Sequence, residues 1–291
     1  MARAERRPPL APELPCIDVH VHLHPERLAR AIERWFAETR WVTAHPFEPE
    51  AVAATLQERG VSRFCFFSYA HRPGMARELN RWLAATAARL PQAVALGTLH
   101  AGDADLDALA REALEDLGLA GFKLHLSVQR FHVDDPRLFP VYERLEATGR
   151  RLMLHVGTMP YRDAYTGVAG FRRLMRRFPR LRVCVAHMGC FESDAFLALT
   201  ERFEHLYVDT TMALAPDAAP YVGAEPAALA DATLLRYQDR ILFGSDFPLI
   251  PYDYDEERRW AWDRGLPPEV RRKIFHDNAA RFLGLPPAGG G

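Results

Sequence analysis

Short apolar segments recur along the chain, and each precedes a longer stretch whose hydrophobic positions follow a helical period. The short segments are rich in Val, Ile, Leu and Phe, as expected of strands that are buried on both faces of a sheet. Eight of them are predicted to be strands: Cys16–Leu23, Arg63–Ala70, Ala93–His100, Gly121–Leu126, Arg151–Gly157, Arg182–Gly189, Leu206–Met212 and Ile241–Phe247. Regular alternation of strand and helix predicts that the strands pair in parallel.

The intervening stretches end at residues that terminate helices. Gly60, Gly118 and Gly149 each follow an amphipathic stretch where a C-cap is expected. The predicted helices are Pro49–Arg59, Met75–Leu90, Asp105–Leu117, Pro136–Thr148, Gly170–Phe178, Phe191–Phe203, Ala227–Tyr237 and Pro268–Phe275. Eight strand–helix units predict a single-domain α/β protein, a (β/α)8 TIM barrel. The alternative, an open doubly wound sheet, would leave the first and eighth strands apart.

Two segments are longer than one strand–helix unit requires. Pro25–Pro46 is predicted to be a helical insertion after strand 1, and Asp255–Leu285 to supply the closing helices. The predicted boundaries are a flexible N-terminal arm over 1–15, a barrel domain over 16–285 and a frayed tail over 286–291. For Trp35, Phe36 and Trp41 in the insertion we expect a packed satellite helix, the alternative being a roof over the pocket.

Composition and charge narrow the class of protein. The chain has 291 residues, 48% of them hydrophobic, and a net charge of −1, which predicts no binding to nucleic acid or to an anionic membrane. No apolar run approaches the roughly 20 residues of a membrane span. The absence of an apolar segment near the N-terminus predicts that there is no secretory signal. Four cysteines without a CxxC pair predict reduced thiols and a cytoplasmic protein.

Histidines concentrate at the predicted strands, and two of them form a pattern with metal-binding geometry. Seven of the twelve lie in these strands or just beyond them: His20, His22, His71, His100, His125, His155 and His187. Alternate side chains of an extended strand share one face, so Asp18, His20 and His22 point the same way. We therefore expect His20 and His22 to bind one metal ion, the alternative being a hydrogen-bonded pair in a polar core.

Further candidate ligands end other strands. His155 and His187 each follow an apolar run, where a buried imidazole needs a partner. Asp246 lies in the segment Gly244–Pro248 at the end of the last strand. It can complete a site with His20 only if the chain closes on itself. The alternative for Asp246 is a helix N-cap.

Lys123, in Gly121–His125, leaves three interpretations open. It can form a salt bridge, orient a substrate carboxylate, or be carbamylated by carbon dioxide into a bridging metal ligand. Carbamylation requires the neutral amine, which burial near metal cations favours. His125 shares the face of Lys123 and is a candidate ligand-shell or substrate contact.

Polar residues after several strands are candidate substrate contacts, with ordinary loop polarity as the alternative. Besides His125 they are His71, Arg72, His100, Gln129, Arg130, Tyr161, Arg162 and Tyr165.

Taken together and in order, these motifs resemble the amidohydrolase superfamily. The branch resembled is the amidohydrolase-related group of metal-dependent TIM-barrel hydrolases, which is similar to aminocarboxymuconate-semialdehyde decarboxylase and γ-resorcylate decarboxylase. The segment Asn278–Leu283 resembles the closing helix of that branch, and the likeness covers residues 16–284.

The resemblance implies an enzyme that binds one or two divalent metal ions, with Zn²⁺ favoured. His20, His22, His155 and Asp246 would bind the first ion. His187 would bind a second ion, or act as an acid, a base or a carbonyl-polarising group. Lys123 occupies the position of a carbamylated lysine in two-metal relatives. A small-molecule substrate is implied, and a homo-oligomer is compatible with the sequence.

Three functions follow, in order of preference. The first is hydrolysis of an amide, ester or lactone by a metal-activated water, with Asp246 moving the proton and His187 stabilising the oxyanion. The second is non-oxidative decarboxylation of an aromatic or unsaturated carboxylic acid, although the substrate-binding arginine of the decarboxylases has no clear counterpart here. The third is a metal-stabilised binding protein without catalysis.

Overall fold

Eight short parallel strands form the centre of the molecule, as predicted. The computed structural model describes residues 15–38, 41, 43, 45–158, 162–222 and 229–286. The strands are β1 (Cys16–His22), β2 (Val61–Phe67), β3 (Ala93–Leu96), β4 (Gly121–His125), β5 (Arg151–His155), β6 (Arg182–Val185), β7 (Leu206–Asp209) and β8 (Ile241–Leu242). The last is shorter than predicted, because beyond Leu242 the chain follows β1 through separate hydrogen bonds and a single bridge, without a continuous ladder.

Helices connect the strands and surround them. They are α1 (Glu26–Ala37), α2 (Pro49–Glu58), α3 (Ala76–Arg89), α4 (Leu106–Arg111), α5 (Leu126–Gln129), α6 (Phe139–Thr148), α7 (Val168–Arg177), α8 (Ser193–Thr200), α9 (Ala219–Val222), α10 (Asp231–Arg236), α11 (Glu256–Asp263), α12 (Pro268–Arg272) and α13 (Asn278–Leu283). The predicted insertion contains α1, and the predicted closing segment contains α11 to α13. The predicted arm and tail lie almost wholly outside the described residues, as does the predicted start of the helix at Ala227.

Two parallel sheets join into a ring. The first has the order β1-β2-β3 and the second the order β4-β5-β6-β7-β8. Isolated parallel bridges connect them, Gly97 to Phe122 at one seam and Val21 to Phe247 at the other. The first and eighth strands are therefore neighbours, as the barrel prediction requires and a doubly wound sheet does not allow.

The barrel interior is apolar below its polar rim. One buried cluster draws side chains from seven strands and from α13: Ile17, Val19, Cys65, Phe67, Leu96, Met153, Cys184, Tyr207, Leu242, Ala279 and Phe282. The closing helix thus seals one end of the barrel, which leaves the opposite end for chemistry. Within the described residues, no helix combines the length and the apolar character that a membrane span needs.

Asn278 fixes the closing helix to the last strand. Its buried amide nitrogen donates to the carbonyl oxygens of Gln238, at 2.7 Å, and Ile241, at 2.8 Å. Replacement by alanine removes the donor from a buried carbonyl and from a half-buried one, so Asn278→Ala should lower the free energy of unfolding by about 1–3 kcal/mol. Denaturant unfolding measures this, with Gln57→Ala on the exposed face of α2 as the matched loss of an amide. Equal stability of the two variants would contradict the assignment.

Candidate metal centre and active site

Two histidines of β1 meet the carboxylate that follows β8. The candidate ligand atoms of His20, His22 and Asp246 all lie within 4.8 Å of one another, and the three residues are buried. Asp246 Oδ1 lies 2.8 Å from His22 Nε2 and 3.2 Å from His20 Nε2. The structure therefore brings together residues that are more than two hundred positions apart in the chain.

The backbone at Asp246 explains how its carboxylate reaches this position. Its φ is +67°, a left-handed conformation that aspartate tolerates better than most residues. The Asp246 amide donates to the His20 carbonyl at 2.9 Å, which fixes the turn against β1. The next described helix, α11, begins only at Glu256, so Asp246 is not the helix N-cap that was the alternative.

The donor set fits a divalent cation. His20 Nδ1 lies 2.9 Å from Asp209 Oδ2, and a carboxylate accepts, so Nδ1 carries a proton and Nε2 is the ring nitrogen that faces the centre. Two imidazole nitrogens and one carboxylate oxygen are ligands that suit Zn²⁺ or Mn²⁺. Burial lowers the pKa of His22 to about 4.

Asp246 stays ionised in this environment. Burial acts to raise its pKa, but the charge of His22 and hydrogen bonds with both histidines hold the pKa well below its usual value. For His20, burial and Lys123 act to lower the pKa, while Asp209 and Asp246 raise it, and the net direction is upward. A divalent cation would take the place of the protons that now lie between this carboxylate and the imidazole nitrogens.

Asp209, at the end of β7, positions two of the site histidines. Besides holding His20, its Oδ1 accepts from the backbone N–H of His187 at 2.8 Å. Burial acts to raise its pKa, but the charge and hydrogen bond of His20 lower it to about 2. Sequence reasoning missed Asp209, although an acid that ends a buried strand is the same signal that singled out the histidines.

Asp18 stabilises the junction between β1 and the segment that follows β8. Its Oδ2 accepts from Ser245 Oγ at 2.5 Å and from the Tyr254 hydroxyl at 3.0 Å, and its Oδ1 accepts from the His20 backbone at 3.0 Å. Burial raises its pKa to about 6, against the lowering effect of these donors. Asp18 therefore links β1 to the turn that carries Asp246.

His187 presents one nitrogen to the cavity. Its Nδ1 lies 3.0 Å from the Thr211 carbonyl oxygen, which can only accept, so Nδ1 carries the proton and Nε2 keeps its lone pair. Its φ of +55° begins a tight left-handed turn that continues through Met188. Burial lowers its pKa to about 4.

His155 and His125 form a stacked pair beside this ring. Their ring centroids lie 3.9 Å apart at an interplanar angle of 16°, and the His155 ring lies 4.6 Å from that of His187. Both line the same cavity as the metal group. His155 does not belong to the three-residue group that converges most closely, so its role as a ligand stays a prediction.

Lys123 lies at the floor of the cavity without a carboxylate partner. Its Nζ is 3.4 Å from His20 Nε2 and 4.6 Å above the Phe67 ring. Among the described residues, no carboxylate lies within ion-pair distance of Nζ, so the salt bridge considered from the sequence is not formed there. Burial lowers the pKa of Lys123 to about 8.

The cavity above these residues has a volume of about 330 Å³. Its lining consists of His20, His22, Trp35, Phe36, Trp41, Tyr69, Lys123, His125, Ser127, Val128, His155, His187, Met212, Pro220, Tyr221, Val222, Asp246 and Leu249. The aromatic residues of the insertion thus face the cavity, which corrects the expectation of a satellite helix that only packs. The polar groups lie at the strand ends, as in other barrels.

Two predicted substrate contacts have their hydrogen bonds taken up by the protein. His100 Nδ1 accepts from the Gly102 amide at 3.0 Å, and Nε2 donates to the Gln129 carbonyl at 3.0 Å. The Gln129 amide nitrogen donates to two carbonyl oxygens at 2.8 Å, and its oxygen accepts from the His125 amide at 2.7 Å. These bonds favour a structural role for both residues, as clamps between neighbouring strand ends.

Three other predicted substrate contacts differ in their position relative to the cavity. His125 lines the cavity, whereas His71 is exposed and outside its lining. Tyr161 lies outside the described residues.

Comparison with known proteins decides the family. The model of a family described as amidohydrolase matches residues 17–285, nearly the whole chain. The chain belongs to the amidohydrolase family. This amidohydrolase is also similar to 2-amino-3-carboxymuconate-6-semialdehyde decarboxylase of Dictyostelium discoideum, with 26% identity over 251 residues that cover 73% of this chain and 67% of that protein.

Solved structures share the fold. An uncharacterised TIM-barrel protein from Bordetella bronchiseptica has a TM-score of 0.70 and 22% identity, over 93% of this chain and 99% of that one. A 2,6-dihydroxybenzoate decarboxylase from Rhizobium has a TM-score of 0.64 and 18% identity, over 93% and 98% of the two chains. At these identities the likeness supports the barrel architecture alone.

Asp209 offers a test of the site that needs no substrate. Asp209→Asn keeps the shape but leaves one acceptor oxygen for donors on both sides, His20 Nδ1–H and the His187 amide, so one of them faces an NH2 group and loses its partner. Affinity for Zn²⁺ or Mn²⁺ should fall by about 10–100-fold, the usual scale for such partners. Competition with a chelator measures it. Asp239→Asn removes a half-exposed carboxylate that pairs with Lys273, and serves as the control. Wild-type affinity in both variants would refute the role of Asp209.

Proposed function

We propose that this amidohydrolase catalyses the metal-dependent, non-oxidative decarboxylation of a small carboxylic acid. The sequence alone favours hydrolysis. The named curated relative is a decarboxylase, which supports the second of the three functions instead. One feature of the site supports the same choice on physical grounds.

That feature is the buried ammonium group of Lys123. An unpaired buried charge is costly, and a substrate carboxylate at the cavity floor would neutralise it. The neutral amides, esters and lactones of the hydrolytic alternative would not. Lys123 is one of only two lysines among the 37 basic residues of the chain, and the others are arginines. A lysine presents a compact ammonium group, whereas an arginine presents a planar guanidinium group.

The metal site fits this reaction. His20, His22 and Asp246 would hold a divalent cation, with His155 as the further proposed ligand. When bound, the cation supplies Lewis acidity at the substrate oxygens. The remaining chemistry depends on groups of the chain itself.

Decarboxylation requires one proton at the carbon that loses the carboxylate. The carbon–carbon bond breaks, carbon dioxide leaves, and the electron pair stays on the substrate carbon, which takes up a proton. His187 Nε2 is proposed to take up a proton from solvent once the substrate is bound and to deliver it to that carbon, while Nδ1–H, bound to the Thr211 carbonyl, holds the ring in place. A bound carboxylate nearby favours the protonated ring during turnover. Lys123 holds the carboxylate in position until the bond breaks.

Hydrolysis remains the second candidate because Lys123 Nζ lies 3.4 Å from His20 Nε2. Carbamylation of that amine would convert it from a cation into a carboxylate ligand beside the first ligand group. A second metal ion bound by this carbamate and His187 would then favour an activated water. The two functions thus differ in the chemical state of one side chain.

The reaction can be tested by supplying and removing the metal. Aromatic and unsaturated carboxylic acids should release carbon dioxide with the Zn²⁺- or Mn²⁺-loaded protein, and chelation should abolish the release until metal is restored. A parallel panel of esters, lactones and amides tests the alternative. Hydrolysis of that panel without carbon dioxide release from any acid would replace the proposal by the hydrolytic function.

Lys123→Met distinguishes the two roles of the lysine. Loss of a charge-assisted hydrogen bond to the carboxylate should raise KM at least about tenfold with metal content unchanged. The matched control is Lys273→Met, which removes the only other lysine from the surface. A fall from two bound metals to one in Lys123→Met, with native mass showing one added carbon dioxide in the wild type, would establish the carbamate.

A further inference from the structure

The cavity has two faces of different chemistry. Its floor carries the imidazoles, Lys123 and Asp246, whereas the opposite wall is built mainly from aromatic rings. We call this wall the aromatic arch: Trp35, Phe36, Trp41 and Tyr221. The arch belongs to the insertion after β1 and to α9 after β7, two strands that flank β8, so it covers one side of the mouth.

The rings of the arch touch one another in series. Trp35 meets Phe36 edge to face at 5.1 Å, Phe36 stacks on Trp41 at 5.6 Å, and Trp41 meets Tyr221 edge to face at 5.5 Å. Trp41 Nε1 donates to the Leu249 carbonyl at 2.6 Å, which fixes the central ring and uses its donor inside the protein. The arch therefore offers a firm apolar surface for a planar group.

Apart from the metal ion that its floor would hold, positive charge in this cavity is confined to one side chain. Among the described residues that line it, Lys123 is the single lysine or arginine, and it lies on the floor. One carboxylate can reach that ammonium group. A second carboxylate at the far end of the same ligand would be placed against the arch. It would lose its hydration there and gain no cationic partner, which costs binding free energy.

We propose that this cavity selects monocarboxylic acids with an apolar, planar body and discriminates against dicarboxylic acids of the same size. The carboxylate binds at Lys123 and the body packs under the aromatic arch. The inference rests on the proposed function in one respect, that the ligand is a carboxylic acid. It adds which acids are bound and names Trp41 and Lys123 as the residues that set the preference.

A matched pair of ligands tests the selectivity directly. 4-Ethylbenzoate and terephthalate are similar in size and differ chiefly in the charge of the group opposite the first carboxylate. Isothermal titration calorimetry on the metal-loaded full chain should give a Kd at least tenfold lower for 4-ethylbenzoate. Equal affinity, or tighter binding of terephthalate, would overturn the inference.

Val128 provides a gain-of-function variant. It lines the cavity mouth on the short helix α5 and is 41% exposed, so a longer side chain can be accommodated. Val128→Arg places a second cation at the mouth and should improve terephthalate binding at least tenfold. Val128→Met, of similar length and no charge, should leave the preference of the wild type unchanged. Equal effects of the two substitutions on the ratio of the two affinities would contradict the charge argument.

The outcomes separate this inference from the proposed reaction. Calorimetry needs no turnover, so preferential binding of 4-ethylbenzoate supports the inference even if no acid releases carbon dioxide, in which case the reaction proposal fails alone. Carbon dioxide release together with equal binding of both ligands would leave the reaction standing and remove the selectivity.

Discussion

Closure of the last strand segment onto the first is the contact on which the site depends. The His22 amide donates to the Phe247 carbonyl at 2.8 Å, and the Asp246 amide donates to the His20 carbonyl at 2.9 Å. These two bonds place a carboxylate against two imidazoles of β1. Without this seam, Asp246 and the histidines would lie at opposite edges of an open sheet and could not share a cation.

Two buried aspartates hold the imidazoles and the junction of β1 with the segment after β8 in position. Asp209 orients His20 and the backbone of His187, and Asp18 links β1 to Ser245 and Tyr254. Buried carboxylates are stable only with donors around them, so each one restricts several groups at once. The polar rim is consequently rigid, while the apolar cluster beneath it supplies most of the burial.

The spacing of the two β1 histidines and the closure of the barrel were sufficient to predict the centre of the site. Strand alternation was wrong for Asp18, which lies outside the cavity lining because the register of β1 shifts between Asp18 and Val21. His20, His22 and Asp246 follow from the spacing and from the closure. The roles of His100 and Gln129 do not, since their partners are backbone groups on neighbouring strand ends whose spacing depends on loop geometry. The position of Trp41 over the cavity likewise depends on its bond to Leu249, more than two hundred residues away.

The choice between decarboxylation and hydrolysis reduces to the charge at one nitrogen. As an ammonium, Lys123 is a buried cation that attracts a carboxylate, and as a carbamate it is an anion that attracts a second metal ion. The surrounding protein is compatible with either, because His20 Nε2 and the Phe67 ring contact the group without fixing its charge. The proposed decarboxylation therefore requires the ammonium form of Lys123, and the hydrolytic alternative requires the carbamate.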